Sequence, residues 1–207
     1  MIQSQQKKFQ KSDFDVKWLD HMGIPKVHWY AKITKVPDRC SHKRHVAEYI
    51  GKIRQNIVEG KGLYLWGDFG RGKSALAALI LIEACRVGYV GYWIRAKEIP
   101  RHIIEKTDFD EDLTVIERAE TCPILVIDEF QIRFSETKFT EWSAEDLIRI
   151  RVDAKLPTIV TSNITPPLLE KGYPALYSVL LEAFLPIKVQ GHDFRKEKAG
   201  KDGSESI

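Results

Sequence analysis

From Ser41 onward the apolar residues first fall at helical spacing and then gather into short runs. Val46, Tyr49, Ile50, Ile53 and Ile57 recur every three or four positions, with Lys52 and Arg54 on the opposite face. The pattern predicts a helix from Ser41, closed by Gly60 and Gly62. Residues 63–66 then read as a short apolar strand, 73–87 as a helix and 89–94 as a second strand. Helices are expected over 97–106 and 113–119, separated by the acidic turn 108–112. A third strand over 123–127 ends on Asp128 and Glu129. Ser143 is a candidate N-cap for a helix reaching Ala154, with Glu145 and Asp146 in its first turns. A fourth strand is expected over 158–161, a helix over 175–183 and a fifth strand over 187–189. Short apolar strands alternating with helices predict an α/β fold, a five-stranded parallel sheet with helices on both faces. No internal repeat is visible.

The two ends differ from this middle. Residues 1–40 have weak periodicity, yet Trp18, Leu19, Met22, Ile24, Val27, Trp29 and Tyr30 supply apolar surface that can pack on a core. They are expected to form a partly ordered extension, with the main domain over 41–195. Residues 196–207 are polar, rich in Gly, Ser, Lys and Glu, and expected to be disordered. A chain of 207 residues suits one domain with one sizeable core. A net charge of +3 permits a nucleic-acid partner without demanding one. Cys40, Cys85 and Cys122 are too few and too scattered for a disulfide framework, which fits a reducing, cytoplasmic setting. Cys40, His42 and His45 are close together, but no second ligand pair accompanies them, and they read as a polar loop leading into a helix. No signal peptide is visible, and the longest apolar helical run, 75–82, is far short of the ~20 residues that span a bilayer.

Chemistry concentrates at three strand ends. Gly67, Asp68, Phe69, Gly70, Arg71, Gly72, Lys73 and Ser74 form a P-loop, G-x-x-x-x-G-K-[ST], with a strand before it and a helix from Ala75 after it. The glycines let backbone N–H groups converge on phosphate oxygens. Lys73 reaches the β- and γ-phosphates of ATP, Ser74 ligates Mg²⁺, and the following helix turns its positive end to the same anion. The apolar strand ending on Asp128 and Glu129 reads as Walker B: Asp128 for Mg²⁺, Glu129 as the base that polarises the attacking water. Thr161, Ser162 and Asn163 end the next strand, which places Asn163 at the ligand edge of the sheet to orient that water or touch the γ-phosphate. For single-stranded DNA the candidates are Lys97 and Arg101, with Arg149 and Arg151 near a helix end and Trp93 and Phe109 as nearby aromatics.

Together, residues 63–74, 124–129 and the run Leu156-Pro157-Thr158-Ile159-Val160-Thr161-Ser162-Asn163 resemble the DnaC/DnaI/IstB group of AAA+ ATPases, over residues 42–195. The resemblance implies a P-loop NTPase of the AAA+ (ASCE) type that loads a replicative helicase or assists transposition. It assigns Lys73 and Ser74 to Walker A, Asp128 and Glu129 to Walker B, Asn163 to sensor 1, and Arg195 to sensor 2 at the γ-phosphate. It implies ATP and Mg²⁺ as cofactors, and as partners single-stranded DNA and a replicative helicase or another replisome or transposition protein. It also implies an ATP-dependent homo-oligomer in a bacterial cytoplasm, of phage or mobile-element type.

Two departures qualify this. Where the family carries an arginine finger, this chain has Val179, within Tyr177-Ser178-Val179-Leu180, and no arginine occurs between Arg151 and Arg195. Such a finger is worth about 10³–10⁵ in rate in well-studied phosphoryl transfer. Residues 1–40 are also too short for a separate helicase-binding domain. The alternative to an efficient loader is therefore an ATP-gated module with weak hydrolysis, like the IstB helpers. A small-molecule kinase is disfavoured by Glu129 and by the absence of an arginine-rich lid, with only Arg133, Arg149 and Arg151 between the third and fourth strands.

Overall fold

In the computed structural model, which describes residues 16–38, 40–104, 114–131 and 138–191, the apolar runs pair into one sheet. Its strands are β1 (Gly62–Trp66), β2 (Tyr92–Arg95), β3 (Leu125–Phe130), β4 (Thr158–Ser162) and β5 (Phe184–Lys188). They lie in the order β2-β3-β4-β1-β5, and every pairing is parallel. Side chains alternate between two cores, as the pleat requires. Leu63, Leu65, Val126 and Ile159 face one side, with α4 (Lys73–Arg86) and the segments that precede β1. Tyr64, Leu125, Ile127 and Val160 face the other, with the helices after β2, β3 and β4. The expected five-stranded parallel α/β fold is what forms.

Several elements begin elsewhere than the pattern predicts, for local reasons. The first expected helix is two, α2 (Ser41–Gly51) and α3 (Ile53–Val58), broken at Lys52. Strand β2 starts at Tyr92 rather than at residue 89, because Tyr89 is committed to ending α4. Gly88 has φ +97°, and the Tyr89 N–H reaches back to the Ala84 carbonyl. After β2 the chain makes a short 3-10 turn, Ala96–Glu98, before α5 (Ile99–Ile104), and then comes α6 (Val115–Thr121). Ser143 is no N-cap: it lies inside α7 (Lys138–Asp153), which begins five positions earlier. After β4 the run Asn-Ile-Thr-Pro-Pro leads into a further helix, α8 (Pro166–Gly172). Thr165 caps it and Pro166 opens it. Then α9 (Pro174–Ala183) follows, and β5 begins at Phe184, ahead of the expected 187–189.

Part of the leading extension belongs to the core. The helix α1 (Val16–His21) and the loop after it bury Leu19, Met22 and Ile24. The Trp93 N–H donates to the Met22 carbonyl, and Arg118 of α6 donates to the His21 carbonyl at 3.1 Å while lying over the Tyr92 ring. Residues 196–207, Phe109 and Arg195 lie outside the described residues. No helix among the described residues is long and apolar enough to cross a membrane.

Arg151 is the largest departure from expectation. Its side chain has 0 % exposure and stands beneath the sheet, not on a surface that could meet DNA. Its Nη1 donates to the carbonyls of Ala119 (2.7 Å), Glu120 (3.2 Å) and Cys122 (3.0 Å), its Nη2 to that of Pro157 (2.9 Å), and its Nε to Thr158 Oγ1 (2.9 Å). These groups close α6 and lead into β3 and β4. Burial pulls the guanidinium below its ordinary pKa, and the Cys122 sulfur beside it opposes that. The negative end of the α6 dipole supplies what no carboxylate does among the described residues.

Candidate nucleotide-binding site

The site is assembled where β1, β3 and β4 end. Leaving β1, the chain turns sharply at Gly67, whose φ of +144° and approach to the Val189 carbonyl leave no room for a Cβ. Gly72, at φ +89°, is the N-cap of α4 and has no side chain to cap it, so the first N–H groups of a 14-residue helix stay open to an anion. Lys73 folds back over this loop, donating to the carbonyls of Gly67 and Asp68, each at 2.7 Å. Arg71 ties the loop to the chain beyond β5 through a 2.5 Å bond to the Gly191 carbonyl, and lies 3.7 Å from the Asp68 carboxylate.

Below the loop, one carboxylate oxygen gathers two hydroxyls. Ser74 Oγ donates to Asp128 Oδ1 at 2.8 Å, and Thr161 Oγ1 donates to the same oxygen at 2.5 Å. Asp128 is buried, so these bonds offset its desolvation. Thr161 Oγ1 in turn accepts the Glu129 N–H at 3.0 Å. Glu129 itself is exposed and left-handed, at φ +57°, where the register between β3 and β4 slips between Ile127 and Phe130. This bulge turns two adjacent carboxyls to the same edge, whereas a regular strand would send them to opposite faces. Asn163 Oδ1 is buried with no partner in the protein, an acceptor left for a ligand or a water.

These groups line a cavity of about 660 Å³, within the usual range of ligand pockets. Residues 69–75, Asp128, Glu129, Thr161 and Asn163 form one wall. The opposite wall comes from residues 25–42 together with Gln190, and sequence reasoning missed it. Cys40, His42, Leu76 and Leu79 give it buried lining, while Val27, Tyr30 and Phe69 stand at its open rim. Of the C-x-H-x-x-H residues, Cys40 and His42 line the cavity and His45 does not. No group of three or more metal-ligating side chains occurs among the described residues. His42 Nδ1 accepts the Gln190 N–H at 3.3 Å, and burial, then the nearby His45, push its pKa down. Arg95, at the end of β2 and in register with Asp128, also lines the cavity.

The structure thus brings together Gly67 to Ala75, Asp128, Glu129 and Asn163, and adds Thr161, which the sequence shows only as part of a polar strand end. A hydrogen bond to a charged group contributes about 1.5–3 kcal/mol. Thr161→Val should therefore weaken Mg²⁺–nucleotide binding by roughly ten-fold or more while leaving the circular dichroism spectrum unchanged, as titration with a fluorescent ATP analogue would measure. The DNA candidates fare unevenly. Lys97 and Arg101 are exposed beyond the end of β2, outside the cavity. Arg149 is paired with Glu145 at 2.8 Å, Arg151 is buried, and Trp93 is buried in the core and presents no ring for stacking. Val179, at the expected finger position, is half-buried against the second core.

No protein-family model matches the chain. The replicative helicase loader DnaI of Bacillus subtilis (strain 168) is 28% identical over 137 residues, 63% of this chain. The chain spans 42% of the length of that relative. Among solved structures, the crystal structure of the DnaC helicase loader superposes with a TM-score of 0.68 at 20% identity, over 80% of this chain and 100% of that one. The replication initiator DnaA bound to AMPPCP and single-stranded DNA superposes at 0.64 and 16% identity, over 88% of this chain and 58% of that one. In sequence the chain is similar to the helicase loader DnaI, and in fold to DnaC, so the resemblance carried by its motifs is matched by a sequence relative and by the fold.

Proposed function

We propose that the chain binds ATP–Mg²⁺ at this site, hydrolyses it, and acts in DNA replication as a loader that engages single-stranded DNA and a replicative helicase. The carrying observation is the hydrogen-bonded set Ser74–Asp128–Thr161 beneath an uncapped helix start. Ser74 and Asp128 are the residues that fit Mg²⁺, which when bound neutralises phosphate charge. Lys73 and the N–H groups of α4 hold the phosphates. Glu129 takes a proton from the water that attacks the γ-phosphorus, and the β–γ P–O bond breaks to give ADP and phosphate. Asn163, with its free acceptor, orients that water. Arg195 remains a proposed γ-phosphate contact, carried only by the resemblance. The setting proposed is a bacterial cytoplasm, with the protein phage- or mobile-element-borne and assembling with itself when ATP is bound.

Glu129→Gln tests the hydrolytic part. General-base loss should lower steady-state turnover by about 10²-fold or more while ATP affinity is retained. Unchanged turnover would remove Glu129 from the mechanism. A second reading, an ATP-gated switch on a replication or transposition partner, is favoured by the half-buried Val179 at the finger position. Turnover near background with DNA and helicase both present, and ATP still retained, selects it.

A further inference from the structure

The rim formed by residues 26–35 is both cationic and aromatic. Lys26, Lys32 and Lys35 are exposed, and no acidic residue occurs between Asp20 and Asp38. Asp38 is itself taken by Lys43 at 2.6 Å, and neither Lys32 nor Lys35 has an acidic partner among the described residues. Tyr30 stands just before Lys32 with 71 % exposure, and Val27 with 72 %. Trp29, by contrast, is tied down: its Nε1 donates to the Ile24 carbonyl at 2.7 Å and Lys26 Nζ lies 5.7 Å from its ring. Two 3-10 turns, Lys26–His28 and Ile33–Lys35, shape the backbone, and the His28 ring rests 6.1 Å from that of Trp93. The segment is therefore a built platform that leaves one aromatic ring exposed and two ammonium groups without an acidic partner among the described residues.

We propose that residues 26–35 form a contact surface for single-stranded nucleic acid. A base stacks on Tyr30, and Lys32 and Lys35 grip the flanking phosphates, the combination by which sequence-tolerant single-strand binders work. A nucleotide base inside the cavity has a better-enclosed place among Cys40, His42, Leu76 and Leu79, which leaves the exposed Tyr30 ring to another ligand. This surface rests on the DNA-binding reading above. It moves the principal contact from Lys97 and Arg101, which lie outside the cavity, to residues at its rim.

Fluorescence anisotropy of a labelled oligothymidylate, with the full chain, ATP and a salt series, tests it. Tyr30→Ala should weaken binding by about ten-fold, and Tyr30→Phe, which keeps the ring face, should not. Neutralising both lysines, Lys32→Gln with Lys35→Gln, should flatten the slope of log affinity against log salt by about 1.4, since each phosphate contact on a single strand contributes about 0.7. Because Tyr30, Lys32 and Lys35 also line the nucleotide cavity, ATP affinity is measured for each variant and strand binding is compared with every variant saturated with ATP. The surface is overturned if these variants bind the strand as the wild type does, if only Lys97→Gln with Arg101→Gln loses it, or if ATP affinity falls instead. A wild type that binds no strand at low salt sinks the wider DNA-binding reading, and this surface with it.

Discussion

Lys73→Ala should abolish ATP binding and leave the protein folded. The Lys73 ammonium is partly exposed, and its two bonds to the Gly67 and Asp68 carbonyls hold it over the loop. Asp68 is exposed and the loop keeps its Arg71 bond to the Gly191 carbonyl, so the fold survives the loss. ATP loses a charge-assisted contact from the only lysine in the P-loop, and among the described residues the other ammonium groups lining the cavity are Lys32 and Lys35 at its rim. Charge-assisted bonds are worth about 1.5–3 kcal/mol each, so a loss of two corresponds to an affinity lower by about 10²-fold or more. The cleanest readout is thermal. Saturating ATP at about 100 times its Kd should stabilise the wild type by about 2.7 kcal/mol and leave the variant's Tm unmoved. A variant that keeps full ATP affinity would contradict the assignment. A pull-down with and without ATP, wild type against this variant, would also name the partner and show whether nucleotide controls it.

Arg151→Met should have the largest effect on stability. The methionine fills much of the space but donates nothing, and the carbonyls of Ala119, Glu120, Cys122 and Pro157 lose their partner together. Breaking a buried polar network of this kind costs about 3–5 kcal/mol. For a chain of this size that should lower Tm by roughly 10 °C, seen by calorimetry without nucleotide. Arg151→Lys should recover little, because one ammonium cannot span four carbonyls on two separate segments. A Tm within about 2 °C of the wild type would show that water replaces the guanidinium and that the network is not a keystone.

The legibility of the chain followed the range of its interactions. The sheet was readable because apolar runs such as 124–127 and 158–160 are local signals, and parallel strands buried on both faces need nothing more. The P-loop and Asp128-Glu129 were readable because phosphate and metal chemistry demand fixed residues at fixed spacing. What was not readable depends on contacts far apart in sequence. Thr161 meets Asp128 only once β3 and β4 pair, and residues 25–42 meet the P-loop only once the extension packs on α4. Arg149 and Arg151 look alike on paper. Two positions apart on a helix they point in different directions, one to Glu145 and the other beneath the sheet. Ser143 misled because a good N-cap residue inside a longer helix carries no mark of its position.

The left-handed Glu129 has an evolutionary consequence. Glycine or asparagine would occupy a φ of +57° more comfortably than glutamate, by about 1 kcal/mol. A library of this protein sorted only for resistance to heat or protease would therefore drift toward glycine at this position and discard the carboxylate. Glutamate persists there only if something other than durability is being selected, which makes the residue a gauge: in a lineage that has given up turnover, position 129 should be the first of the site to relax.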